Sequence, residues 1–189
     1  MIRGLLGMAA AALVVVTGEA GAASLTLNDA DKRAAIQAGE RGTTAEDFDR
    51  EWRISSDGGD VTVLTPFHRL AVAARHAAFK NETLKPLDVE RTLKKDAGRL
   101  VVWVQLRGRS EDFARYYVPR LMLGDREIKA SFVQNERTAL RQDDGRYLAR
   151  CAYGFPVRDL DGRSRVALIV ADIEGRDIGR FTIDFSAMR

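Results

Sequence analysis

Beyond Gly98 the chain's hydropathy repeats every second residue, and that period fixes what this half can become. Leu100, Val102, Val104 and Leu106 share one face of Arg99 to Arg107. Ile128, Ala130 and Phe132 share another, and Tyr147, Ala149, Cys151, Tyr153 and Phe155 alternate in the same way. Val166, Leu168 and Val170 follow, then Phe181, Ile183 and Phe185. A period of two puts successive side chains on opposite faces of a strand, so each run is a half-buried β-strand. Asp143-Asp144-Gly145, Leu160-Asp161-Gly162 and Glu174-Gly175 supply tight turns between them. Tyr116 to Leu123 is a further strand, and Pro119, which has no N–H to donate, predicts an edge position for it. Strands joined by turns with no long helices between them predict an antiparallel sandwich of immunoglobulin-like character over residues 99–189. Its expected core holds Trp103 or its neighbours Val102 and Val104, with Phe132, Cys151, Tyr153, Leu168, Phe181, Ile183 and Phe185.

Upstream, over residues 23–98, the pattern is mainly helical. Asn28 or Asp29 caps a helix through DADKRAAIQAG, which Gly39 or Gly42 stops. Thr43 to Glu46 has capping-box spacing and opens a short turn towards Phe48 and Trp52. Ser55 to Asp60 reads as a loop, and Val61 to Leu64 as a short β-prone run. Pro66 starts a helix that runs through Phe79, and Pro86 with Asp88 starts another that Gly98 ends. The whole is an α+β chain in which a helical N-terminal segment packs on the sandwich.

Residues 1–22 form a third kind of text. Arg3 precedes an apolar run from Leu5 to Val16, and Ala20-Gly21-Ala22 supplies small residues. The run is short for a membrane span and suits the apolar region of a signal peptide cleaved after Ala22. The expected destination is the periplasm or the exterior, with no transmembrane span after cleavage. Losing this segment removes one base, Arg3, and one acid, Glu19, so the net charge stays at +3. That mixed balance argues against a nucleic-acid partner. One cysteine, Cys151, makes neither an internal disulfide nor a cysteine zinc site.

The stretch TPFHRLAVAARHAAFKNETLKP, Thr65 to Pro86, holds both histidines. His68 and His76 are eight residues apart, which on a helix is about 12 Å of rise and roughly 80° of rotation. They cannot share a metal ion, so no metal or other cofactor is expected. On a helical wheel Phe67, Leu70, Ala71, Ala74 and Ala78 fall on one side, where alanine favours close packing against another element. Arg69, His76 and Lys80 fall on the other, with Arg75 on a flank, while Val72 and Phe79 form a small apolar spot near His68. Arg69, Val72, Arg75, His76, Phe79 and Lys80 are therefore the candidate partner-binding residues. Cys151 alternates with core-facing residues and reads as a small buried hydrophobe. Asp159-Leu-Asp161-Gly162 lacks the remaining ligands of a calcium loop. No nucleophile elbow, Walker loop or dinucleotide fingerprint is present, so no catalytic residue is assigned.

TPFHRLAVAARHAAFKNETLKP, FARYYVP, SFVQNERTA and FTIDFSAMR together resemble an uncharacterised group of exported bacterial proteins, over most of the chain beyond residue 22. The resemblance implies export and the same architecture, and brings no activity with it. The expected function is a non-enzymatic binding or structural module of the bacterial cell envelope, with an envelope protein as partner. One alternative is peripheral association with anionic lipid or an envelope polymer through the basic helix. The other is an enzyme of unrecognised type.

Overall fold

A computed structural model describes residue 23 and residues 25–189. The expected signal peptide lies outside the described residues. Helix α1 spans Asp29–Arg41, and Asn28 caps it in a reciprocal box with Asp31. The Asn28 side chain accepts from the Asp31 N–H, and the Asp31 carboxylate accepts from the Asn28 N–H, satisfying two otherwise orphaned donors. The helix passes through Gly39 and stops at Gly42. Two short 3-10 turns then deliver Trp52 to the interior. Strands β1 (Arg53–Ser56) and β2 (Gly59–Leu64) follow as a tight hairpin, so the stretch expected as a loop is largely paired. Gly59 has φ +132°, which favours glycine there.

Helix α2 (Pro66–Phe79) begins with Pro66 in the first turn, and the Thr65 hydroxyl accepts from the His68 N–H. Its alanine face packs on α1, as the composition predicts. A Cβ at Gly39 would run into the Ala71 carbonyl oxygen and lie 2.8 Å from the Ala74 Cβ, so only glycine permits this approach. Helix α3 (Pro86–Lys94) follows, and Gly98, at φ +73°, turns the chain into the sheets.

The remaining strands are β3 (Arg99–Gly108), β4 (Val118–Leu123), β5 (Arg126–Lys129), β6 (Phe132–Gln134), β7 (Leu140–Arg141), β8 (Tyr147–Pro156), β9 (Arg165–Ala171) and β10 (Asp177–Asp184). Among the described residues they form two antiparallel sheets. One runs β1-β2-β3-β8-β6, with β7 also on β8, and the other runs β10-β9-β4-β5. The 23–98 segment thus contributes two strands to the larger sheet, because β2 pairs with β3 from Asp60↔Gln105 to Leu64↔Val101.

The alternation sorts the faces as expected. Leu100, Val102, Val104 and Leu106 are buried, as are Cys151, Tyr153, Leu168, Phe181, Ile183 and Phe185, and both sheets share one hydrophobic cluster with Trp52 and Leu70. Fully burying a side chain of this size is worth about 1.5–3 kcal/mol. Two expectations are corrected. Phe132 is exposed, because the chain leaves β5 at Lys129 and crosses to the other sheet, where the Ser131 N–H donates to the Gly154 carbonyl. Phe132 then pairs with Gly154 and falls on that sheet's outer face. Strand β4 lies between β9 and β5 rather than at an edge; Pro119 is tolerated because pairing with β5 begins only at Arg120. Among the described residues no helix is long and apolar enough to cross a membrane.

Candidate functional site

The outer face of the larger sheet is the place where this fold leaves side chains uncovered in a concave setting. Residues opposite one another on paired strands point to the same side. One cross-strand row therefore reads Arg53, Thr62, Trp103, Ala152, Gln134, and the next reads Leu64, Val101, Gly154, Phe132. Helix α2 and the end of α3 wall this face through His68, Val72, His76 and Lys95. The result is an open groove of about 1090 Å³.

Trp103 stands on its floor and is 56% exposed. Its phase on β3 is opposite to that of Val102 and Val104, which take the core. A large indole in water at mid-sheet costs hydrophobic free energy, so it is the informative side chain of this surface. Between Trp103 and Phe132, β8 offers only the small residues Ala152 and Gly154, and the space over Ala152 is a trough beside the indole. Neighbouring strands lie about 4.8 Å apart, so these two rings stand diagonally across β8 on backbones roughly 12 Å apart. Gly154 has a specific use. A Cβ there would lie 2.5 Å from Arg99 Cδ, so its absence lets the Arg99 stem lie flat along the sheet. The guanidinium carbon then sits 5.9 Å from the Phe132 ring centre.

The charges of the groove divide into paired and unpaired. Arg69 Nη1 donates to Asp96 Oδ2 at 2.6 Å with both side chains largely buried, and Arg53 Nη2 donates to Asp49 Oδ2 at 3.0 Å. The Ser55 hydroxyl donates to Asp60 at 2.6 Å. Among the described residues Arg99 and Lys95 have no ion pair, and His76 is exposed and unbonded. A smaller cavity of about 230 Å³ is also bordered by Arg69 and Asp96, so this pair stands at the boundary of both spaces.

His68 is buried. Its Nε2 lies 3.2 Å from Asp49 Oδ1, and its ring centre lies 4.6 Å from that of Trp52. Burial lowers its pKa below the ordinary imidazole value, partly offset by the hydrogen bond and charge of Asp49. A neutral ring donating from Nε2 leaves Nδ1 without a partner. Cys151 is buried as expected, and desolvation raises its thiol pKa, the reverse of what a nucleophile needs. Among the described residues no group of three or more His, Cys, Asp or Glu is placed to hold a metal ion.

The six partner-binding candidates do not form one surface. Arg69, Val72 and His76 line the groove, with Arg69 held inward by Asp96. Arg75 turns elsewhere: it lies 4.5 Å over Phe48 and 5.4 Å over Phe79, and donates to the Ala45 carbonyl. Phe79 and Lys80 are exposed at the far end of α2. Sequence reasoning missed Trp103, Phe132, Arg99 and Lys95. The available signal was the phase of β3, where Trp103 is the large apolar residue among Arg99, Gln105 and Arg107 on the polar side. Comparison of the chain with protein-family models, with curated proteins and with solved structures finds no match.

Proposed function

We propose that this protein is a non-enzymatic binding module of the bacterial cell envelope, exported through residues 1–22 to the periplasm or the exterior. In this reading its two sheets form an immunoglobulin-like sandwich, a frame that hosts binding sites of many kinds. Trp103 carries the proposal: a half-exposed indole on the floor of a groove, with small residues beside it and unpaired cations on the rim. Preformed grooves that combine aromatic surface with a few polar groups are ordinary binding sites.

The groove is favoured over the basic face of α2 as the contact surface. Arg69 is occupied by Asp96, and Arg75 is occupied by Phe48, Phe79 and Ala45. That leaves few free cations on the helix for anionic lipid. An enzyme reading has less support, because Cys151 is buried with a raised pKa.

The test is co-sedimentation of the purified chain with isolated envelope fractions. The expected result is saturable binding that Trp103→Ala removes while the melting temperature holds. Equal binding by the variant overturns the groove as the binding surface.

A further inference from the structure

We propose that the groove binds an acidic glycan, with one sugar ring stacked on Trp103 and its carboxylate held by Arg99 and Lys95. The inference rests on the binding-module reading above and names its ligand class.

The shape argument starts from β8. Ala152 leaves a trough beside the Trp103 indole, bounded over Gly154 by the Arg99 stem and by Phe132 diagonally across β8. A pyranose ring carries C–H bonds on one face, weakly positive at hydrogen, and hydroxyls around its rim. The π face of an indole is the negative part of its quadrupole, so the C–H face of a sugar stacks on it. The polar side chains around Trp103 suit the hydroxyl rim: Thr62 is opposite it on β2, and Gln105 and Gln134 border the same floor. An extended peptide is less suited. Strands β3 and β8 are paired on both sides, so mid-floor there is no open sheet edge for a peptide strand to join.

The charge argument selects an acidic glycan over a neutral one. Arg53 and Arg69 are neutralised by Asp49 and Asp96. Arg99 and Lys95 are not, and both line the groove. The Arg99 stem is fixed along Gly154 with its guanidinium beside the Phe132 ring, so its donors are preorganised for a carboxylate. A nucleic-acid strand is less suited, since the chain's charge is mixed, 30 basic against 27 acidic side chains, where proteins that track a phosphate backbone carry a basic stripe.

The experiment is titration of the full chain with tetragalacturonate, with cellotetraose and with a short single-stranded oligothymidine. It is followed by calorimetry and tryptophan emission. Trp52 is buried and Trp103 is exposed, so a shift in emission reports on Trp103. Saturable binding of tetragalacturonate with a blue shift is expected, with cellotetraose weaker. Trp103→Ala should lower the affinity about tenfold or more. Arg99→Gln should bring tetragalacturonate down to the level of cellotetraose, without changing the melting temperature. No saturable binding of tetragalacturonate overturns the proposal, as does equal binding by Trp103→Ala. Equal affinity for the acidic and neutral sugars overturns its charge half. Tighter binding of the oligothymidine reassigns the groove to nucleic acid and also overturns it. Retained envelope sedimentation alongside absent tetragalacturonate binding removes the glycan and leaves the binding module standing.

Discussion

The hydroxyl of Thr65 donates to the carbonyl oxygen of Arg189 at 2.8 Å while accepting from the His68 N–H at 3.1 Å. One side chain therefore caps α2 and ties it to a residue 124 positions away. Trp52 Nε1 donates to the same carbonyl at 2.9 Å, and the Arg189 guanidinium holds Glu51 with contacts of 2.8 and 3.1 Å. Thr65→Val keeps the shape and loses both bonds, so it should destabilise the fold by about 2 kcal/mol in urea unfolding. Thr65→Ser should restore most of that. An unchanged midpoint in the valine variant would show that the tie contributes nothing.

Deleting residues 181–189 should abolish folding. Phe181, Ile183 and Phe185 are almost fully buried, and β10 covers one side of β9. Truncating a single buried Phe typically costs about 3–5 kcal/mol, and the deletion removes several such groups with their strand. A cooperative unfolding transition in the shortened chain would refute this.

Gly39→Ala tests the contact between α1 and α2. On an exposed helix the change would stabilise, since alanine has the higher helix propensity. Here the new Cβ meets the Ala71 carbonyl and the Ala74 methyl, so overpacking dominates and a loss of about 1–3 kcal/mol is expected. Thermal denaturation decides the sign.

Asp96→Ala should cost about 3 kcal/mol, because it leaves the Arg69 guanidinium largely buried without its partner. Replacing both, Arg69→Met with Asp96→Ala, should recover much of the loss. A double variant no better than the single one would mean that the pair does more than neutralise itself.

His68 gives the fold a pH dependence near neutrality. Its folded pKa lies below 6.5, chiefly through burial, so the unfolded chain binds this proton more readily than the folded one. Stability is full above about pH 6.5 and declines as pH falls through the window between the unfolded and folded values. The slope for one proton is at most about 1.4 kcal/mol per pH unit. The charges that face it are Asp49, Glu51 and Arg53. Asp161 and Asp184, whose pKa values local hydrogen bonds hold low, titrate below this window. Urea unfolding from about pH 5 to about pH 8 should show the decline in the native protein and a flatter profile in His68→Gln.

The sequence alone determined which residues of β3, β8, β9 and β10 point inward and where each helix starts. Those properties follow from local backbone geometry: a period of two on β3 and β8, a proline and a cap at α2. It also determined that the alanine face of α2 must meet another element closely. Tertiary structure decided what lies over the polar faces. Trp103 is open because α2 and α3 stand at the edge of its sheet and leave the middle bare. Phe132 left the core because the chain changes sheets after Lys129, a choice made by pairing with Gly154, more than twenty residues along. His68 is buried because a turn nineteen residues earlier brings Asp49 and Trp52 over it. Each outcome depends on contacts between distant segments, and no local period encodes which segments will meet.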